Sequence, residues 1–594
     1  MDDAKALQFI EEVTENADKV QQTTLAGILS QNGEIEYLKC FNLDGATDRE
    51  AFKSKIPVVT YEDILPTNSR WRSLPDPLRS THLRFNNQVL MNFAFPLLKF
   101  VLSSILFCFN SSGTSGGEGK LIPATKQDQD VRGLQISLAR AILNRHMTGL
   151  DEGKSLHFMF VKPERRTQGG LVVRSTITRF LKIEIKNLPD DAMKTASSPY
   201  EAVCCEDIFQ SMYTQMLCGL YERERIIRVG TIFASGLLRA IRFLQLNWKE
   251  LIHDIRTGSL DPRVDDQAIR GCMDRVLRPE PELADMLARE CEKDKWEGII
   301  TRIWPNAKFI DTIVTGSMSQ YIPTVDYYSG GLPVICAMYV SSECAVGINF
   351  DPFCNPSEVS YTFMPQAAYM EFLPLDPEFS EPVDLVNVEI GKEYELVATT
   401  YTGLYRYRVG DIFRVTGFHN TAPQFRFLTR RNVLLSIDSD KTDESTLQGA
   451  VARAYKVLDE SKTVVVDYTS YADTTTIPGH YVIFWELLLK DPDGWPSGEV
   501  VEQCCLAMEE AMDAVYRRCR VGDKSIGPLE IRIVERGSFE ELMDYAVEKR
   551  SATFSQYKTP KCVKLKPMVD LLNSRVVSAH FSPALPHWAA EERL

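Results

Sequence analysis

"SSGTSGGEGK", residues 111–120, is the stretch that decides how the rest of the chain is read. It carries the hydroxyls of Ser111, Ser112, Thr114 and Ser115, four glycines, and a closing Lys120. It is not a Walker A loop, which needs Lys followed by Ser or Thr, because Leu121 follows Lys120. It is not a dinucleotide Gly-x-Gly-x-x-Gly turn either, because Ile122 stands where the third glycine belongs. Two readings stay open. One is a flexible Ser/Gly linker. The other is a loop whose backbone N–H groups and hydroxyls converge on phosphate, which glycine permits by allowing close backbone approach.

Three further stretches bear on the choice. "MYVSSE" (338–343) ends a strand with two hydroxyls and a carboxylate, and "YRYRVGD" (405–411) ends another with an aspartate beside a Gly turn. "QYKTPKC" (556–562) places Lys558 and Lys561 near the C-terminus. An acid at a strand end suits ribose hydroxyls or Mg²⁺, and a late lysine suits charge developing on phosphate. Each of these taken singly also has a structural reading.

Bulk properties narrow the class. A chain of 594 residues exceeds one ordinary core, so a large domain plus a smaller one is expected. With 44% hydrophobic and 25% charged residues it has globular composition. A net charge of −14 without a long basic block argues against nucleic acid and against stable membrane association. Any phosphate must therefore be held by local geometry. The 14 cysteines contain no Cys-x-x-Cys, and with eight histidines no zinc spacing arises. The acidic, helical start "MDDAKALQFIEEVTENADKV" is not a signal peptide. Reduced thiols in the cytoplasm are the expectation.

Residues 1–65 read as helices followed by an extended run, "KIPVVTYEDIL". Residues 121–300 alternate amphipathic helices with short apolar strands, and Leu237, Ile241, Leu244 and Trp248 share helical spacing and one buried face. From about residue 305 the text is strand-rich. Past Ile437 a helix with Leu447, Val451, Ala454 and Leu458 on one side is followed by strand "TVVVDYTSYAD", strand "GHYVIFWELLL", helix "VVEQCCLAMEEAMDAVYRRC" and strand "PLEIRIVERGSF". The organisation expected is a domain over 1–436, a hinge over 437–442 and a small α+β domain over 443–594.

Taken in order, the nucleotide-type stretches resemble the plant Gretchen Hagen family of acyl-acid amido synthetases, one branch of the adenylate-forming ligases. "VTGSMSQYIPT" (314–324), "SIDSDKTDE" (436–444), "SYADTTTIPGHYV" (470–482) and "SIGPLEIR" (525–532) carry the likeness across the chain. The tail "LLNSRVVSAHFSP" (571–583) and "QSMYTQMLCGL" (210–220) resemble the auxin-conjugating branch. The resemblance implies a mixed α/β fold: a large firefly-luciferase-like adenylate-forming domain with a mobile C-terminal lid. It implies ATP and Mg²⁺ as cofactors, a plant-hormone acid and an amino acid as substrates, and a monomer. Indole-3-acetic acid is the acid the branch implies, with a jasmonate- or benzoate-type acid, or a catalytically impaired binding protein, as alternatives.

The same likeness assigns residues. Ser111, Ser112, Thr114 and Ser115 would cradle phosphate, and Glu343 would hold Mg²⁺. Asp411 would take the ribose hydroxyls, Thr315 and Tyr339 would border the adenosine, and Ser342 and Arg408 would complete the nucleotide set. Lys441 and Lys558 would meet the phosphates in different orientations of the lid. Arg174, Ile177, Thr178, Met338 and Val340 would line the acyl pocket.

The chain also departs from the family. Val340 replaces a usual Ala or Gly, Ile177 replaces a pocket leucine, and "QISLARAI" (135–142) lacks the usual tyrosine. Residues 67–110 match nothing in the family. Val89 to Phe109 is 21 residues of nearly apolar text, long enough to span a bilayer but interrupted by Asn92, Pro96 and Lys99. Its Phe/Leu/Ser/Pro bias is that of a translated pyrimidine-rich tract. The expectation is a retained intron tail or a frame error ending just before Ser111; a genuine buried variant and a membrane segment are the alternatives.

Overall fold

The Gly-rich stretch connects two antiparallel strands. In the computed structural model, β1 (Ile105–Ser111) runs against β2 (Lys120–Thr125), with Ser111 opposite Lys120, so the ends of the stretch meet across the pair. The other edge of β1 takes the short strand Val172–Arg174 as a parallel partner, Phe109 beside Arg174. Ile105 to Asn110 are thus part of a sheet, although the sequence sets them apart as foreign text. Ile-Leu-Phe-Cys-Phe is a strong strand-forming run and finds two partners. The structure describes residues 2–33, 35–64, 105–111, 120–150, 152–161, 164–166, 172–174, 176–184, 195–376, 381–430, 433–435, 442–458, 463–473, 478–489, 495–522, 526–550 and 557–588, with isolated positions between them. The remainder of the 67–110 stretch, 67–104, lies outside these residues, as do Ser112, Thr114, Ser115 and Lys441. Among the described residues no helix is long and apolar enough to cross a membrane.

β2 leads directly into α1 (Lys126–His146). Thr125 caps this helix by accepting from the Asp128 N–H, and Arg145 and His146 suit the negative end of its dipole. Next comes a wholly parallel sheet of four strands: β3 (Lys154–Phe158), β4 (Ile226–Phe233), β5 (Phe309–Ile313) and β6 (Val334–Ile335), in spatial order β3-β4-β5-β6. Gly230 is required where β4 meets β5, since a Cβ there would lie 2.1 Å from the Asp311 carbonyl oxygen. β4 runs without a break into α2 (Ala234–Thr257), which buries Leu237, Ile241 and Leu244 and half-buries Trp248, and stops at Gly258 in the left-handed region.

A second, eight-stranded sheet is built mainly antiparallel. It contains the hairpin β7 (Met338–Val340) and β8 (Ala345–Ile348), the Tyr369–Pro374 strand, and the long pair β9 (Tyr407–His419) and β10 (Ala422–Arg430). The sheets and the N-terminal helices share one large apolar core. Beyond Thr442 the chain forms a separate four-stranded sheet. β11 (Thr463–Asp473) and β12 (His480–Leu489) pair antiparallel, β13 (Glu530–Val534) joins parallel, and β14 (Val576–Phe581) closes the edge. This sheet has its own core, which includes Leu447, Val451, Ala454 and Leu458 from one face of the helix Glu444–Leu458.

Two local readings are corrected. "YEDI" is a helical turn, Tyr61–Ile64, rather than extended chain, because the Asp63 carboxylate accepts from the N–H and hydroxyl of Thr60 and nucleates the turn. The helix expected over 500–519 is two helices, Gly498–Ala511 and Ala514–Val521. Asp513 interrupts it by capping the second, accepting from the Tyr516 N–H.

Candidate active site

Ligands of open parallel sheets bind beyond the carboxyl ends of the strands. At that edge β4 ends in Phe233 and β5 passes into Thr315, which precedes a short 3₁₀ turn, Gly316–Tyr321. Gly316 holds φ +63°, and a Cβ on it would strike the Phe427 ring at 2.3 Å. The Thr315 hydroxyl shares a 3.1 Å hydrogen bond with the Tyr361 hydroxyl. The Tyr361 ring lies 6.1 Å from that of Tyr339, and the Tyr339 hydroxyl donates to Asp411 at 2.6 Å. Thr315, Tyr339 and Asp411, separated by almost a hundred residues, are therefore one connected group. Tyr339 is fixed by a stack on Phe363 and an edge contact with Phe413. Burial pushes the Tyr361 phenol well up, so it stays protonated and able to donate.

The β7–β8 turn presents Glu343. Ser341 closes this turn: its N–H donates to the Cys344 carbonyl at 2.8 Å, and its hydroxyl accepts from the Cys344 N–H. Glu343 is only 4% exposed, yet among the described residues no hydrogen bond or ion pair engages its carboxylate. Its oxygens are not among the side-chain atoms closed off from water without a partner, so the carboxylate is open to a ligand. A hard oxygen donor of this kind fits Mg²⁺. Met338 is half-buried, and Val340 is 44% exposed at the end of its strand.

Lys558 arrives from the other core. Its segment is sewn to β11 by Ser470, which donates its N–H to the Lys561 carbonyl and accepts from the Val563 N–H. The Lys558 ammonium lies 4.4 Å above the Phe233 ring, at the carboxyl edge of β4. Lys561 behaves differently: it is buried, 3.2 Å from Asp467 and 4.2 Å above the Tyr468 ring, and burial pulls its ammonium down. Asp467 also accepts from Thr559 and, at 2.6 Å, from Tyr321 of the large core. Asp467 thereby ties the Lys558 segment to the 3₁₀ turn that follows Thr315. The two residues flanking Lys441 are held at one point: Asp440 accepts from the Tyr481 hydroxyl, which also bonds Thr442 at 3.1 Å.

The remaining candidates are dispersed. Thr178 is fully buried and Ile177 half-buried on the turn Thr176–Arg179, while Arg174 ends the strand beside β1. Arg408 is engaged elsewhere: its guanidinium grips Glu395 at 3.0 and 2.6 Å, which raises its pKa, and its N–H donates to Val59. The Ser342 carbonyl accepts from Arg132 at 2.9 Å. Arg132 and its partner Asp128 are residues that sequence reasoning did not single out. An Asp–Arg pair four apart on a helix is usually a solvated pair, and only its burial distinguishes this one.

Three family descriptions match the chain: "GH3 family N-terminal domain" over residues 6–73 and 100–334, "GH3 family central domain" over 361–430, and "GH3 family C-terminal domain" over 445–567. The stretch passed over inside the first, 74–99, is shorter than the 67–110 set apart above. "Probable indole-3-acetic acid-amido synthetase GH3.1" of Arabidopsis thaliana is 57% identical over 593 residues, covering 100% of this chain and 97% of its own. "Indole-3-acetic acid-amido synthetase GH3.3" of Arabidopsis thaliana is 55% identical, again covering 100% and 97%. The solved structure titled "AtGH3.15 acyl acid amido synthetase in complex with 2,4-DB" superposes with a TM-score of 0.86 at 44% identity, covering 99% of each chain.

Proposed function

The chain belongs to the GH3 family, and on that premise we propose that it is an ATP-dependent amido synthetase that joins indole-3-acetic acid to an amino acid and so lowers the free hormone. A carboxylate is a poor acyl donor because its leaving group would be oxide. In the first half-reaction the acid's carboxylate oxygen attacks the α-phosphorus of ATP, and the bond to pyrophosphate breaks. In the second, the amine nitrogen of the amino acid attacks the acyl carbon, the bond to AMP breaks, and the amine loses a proton. Both steps gain mainly from positioning and charge neutralisation.

The observation that carries this reading is the Thr315–Tyr361–Tyr339–Asp411 connection at a parallel-sheet edge, with Glu343 in the turn after Tyr339. In it Asp411 would bind the ribose hydroxyls, and Thr315 and Tyr339 would flank the adenosine. Ser111, Ser112, Thr114 and Ser115 would take the phosphates. Glu343 would hold Mg²⁺, which when bound supplies positive charge against the phosphate oxygens. Lys558 and Lys441 would serve the phosphates in alternate orientations of residues 443–594. Among the cysteines whose side chains are described none forms a disulfide, which suits a reducing cytosol. We read the working form as a monomer.

A jasmonate- or benzoate-type acid is the second reading. The exposed Val340, beside the group that would hold the adenylate, favours it. The test is mass spectrometry of products from the full chain with ATP, Mg²⁺, a mixture of amino acids, and indole-3-acetate, jasmonate or benzoates singly. An ATP-dependent amide of indole-3-acetate is expected. An amide of another acid alone would select the second reading. No amide from folded, ATP-binding protein would overturn the proposal.

A further inference from the structure

Arg132 lies in the second turn of α1, the helix that begins where the β1–β2 pair ends. It is buried, as is Asp128, and its Nε donates to the Asp128 carboxylate at 2.9 Å. Its two terminal nitrogens donate to successive carbonyls of the β7–β8 turn, Ser341 at 3.1 Å and Ser342 at 2.9 Å. Those carbonyls belong to the two peptide units immediately before Glu343. The contact spans 209 and 210 residues of sequence. It is the described link between the helix at the foot of the Gly-rich hairpin and the turn bearing the unpartnered carboxylate.

We propose that Arg132, oriented by Asp128, is a positioning residue that fixes the Glu343 turn on α1 and thereby sets the Mg²⁺ dependence of nucleotide binding. A planar guanidinium holds its donors in a fixed fork that meets these three acceptors from separate nitrogens, whereas an ammonium is a single point donor on a flexible stem. The inference rests on the functional reading above, in which Glu343 is the metal carboxylate. Supports of this kind, one shell removed from the metal, change metal affinity by about 10- to 100-fold when lost.

The experiment compares the full-length protein with Arg132→Lys and Asp128→Asn. ATP binding is followed by calorimetry with Mg²⁺ and with EDTA, and pyrophosphate exchange is followed against free Mg²⁺. In Arg132→Lys the tightening of ATP by Mg²⁺ should shrink about tenfold, and half-maximal exchange should need about tenfold more Mg²⁺. Binding in EDTA and the KM for the acid should hold within about twofold, because neither uses the metal. Asp128→Asn should move the same readouts less, since it leaves the guanidinium in place. Equal weakening with and without Mg²⁺, or a lower melting temperature with unchanged Mg²⁺ dependence in both variants, would reduce the pair to a structural role and overturn the inference. If the unaltered protein shows neither exchange nor Mg²⁺-linked binding, the functional reading fails and the inference falls with it. If it shows both and the variants match it, only the inference fails.

Discussion

Glu371 and Glu343 belong to the same eight-stranded sheet region, one on the Tyr369–Pro374 strand and the other in the β7–β8 turn, and both residues are buried. Glu371 receives both prongs of Arg406, at 2.8 and 2.9 Å, and Lys53 stands 3.8 Å away. Burial pushes its carboxyl up while Arg406 draws it back. Arg406 spends its other bonds on the carbonyls of Lys53 and Ile56, so the pair ties the N-terminal helices to the sheet. Glu343 has no comparable partner among the described residues. A buried charge is tolerated when it is paired and hydrogen-bonded. A carboxylate with no protein partner is one that a cation arriving with the substrate would engage under the function proposed above. Lys561 and Lys558, three residues apart, differ in setting: one is closed on Asp467 and the other stands over an aromatic ring at the sheet edge.

Arg406→Ala should test this contrast hardest, because it strands a buried carboxylate. A loss of about 3–5 kcal/mol in unfolding free energy is expected in urea titration. Glu343→Gln should do the reverse. Pyrophosphate exchange should fall about 10²- to 10³-fold while unfolding free energy stays level or rises. A large stability loss in Glu343→Gln would break the comparison, since it would mean that this carboxylate is also structural.

Glu486 offers an intermediate case. It is buried, no ion pair among the described residues closes on it, and it accepts from the backbone N–H groups of Gly537 and Phe539. Burial raises its pKa from 4.5 to about 7. A raised carboxyl favours the protonated folded state, so its contribution to stability is full below about 4.5 and is lost as pH rises through 7. Glu486→Gln should therefore flatten the melting temperature between pH 5 and 8, with a gain on the order of 2–3 kcal/mol at the alkaline end. Unchanged pH dependence would show that the two N–H groups suffice to hold the charge. Tyr339→Phe should have the smallest effect, removing one bond to Asp411. A typical hydrogen bond contributes about 0.5–1.5 kcal/mol, so a rise of up to about tenfold in the KM for ATP is expected, with a stability loss no larger than that range.

Much of the framework could be read in the residues. "TVVVDYTSYAD" is β11 to the residue, because its alternation and β-branched content leave no rival. The helix Glu444–Leu458 follows its apolar face. The failures were local competitions between polar side chains and the backbone, as at Asp513 and Asp63, where one carboxylate redirected the chain. Family likeness singled out Thr315, Tyr339 and Asp411, but not the contacts that connect them. The pairing of Arg408 with Glu395 on the neighbouring strand was not legible either. Arg132 was silent for the same reason: its meaning depends on a turn more than two hundred residues away.

The measurement that meets the central claim most directly is acid-dependent exchange of labelled pyrophosphate into ATP by the purified full chain, with Glu343→Gln and Arg406→Ala beside it. The account predicts exchange that requires indole-3-acetate or a related acid, reduced about 10²- to 10³-fold in Glu343→Gln without loss of stability and retained in Arg406→Ala wherever that variant is folded. Exchange that ignores Glu343, or none from stable protein that binds ATP, would contradict it.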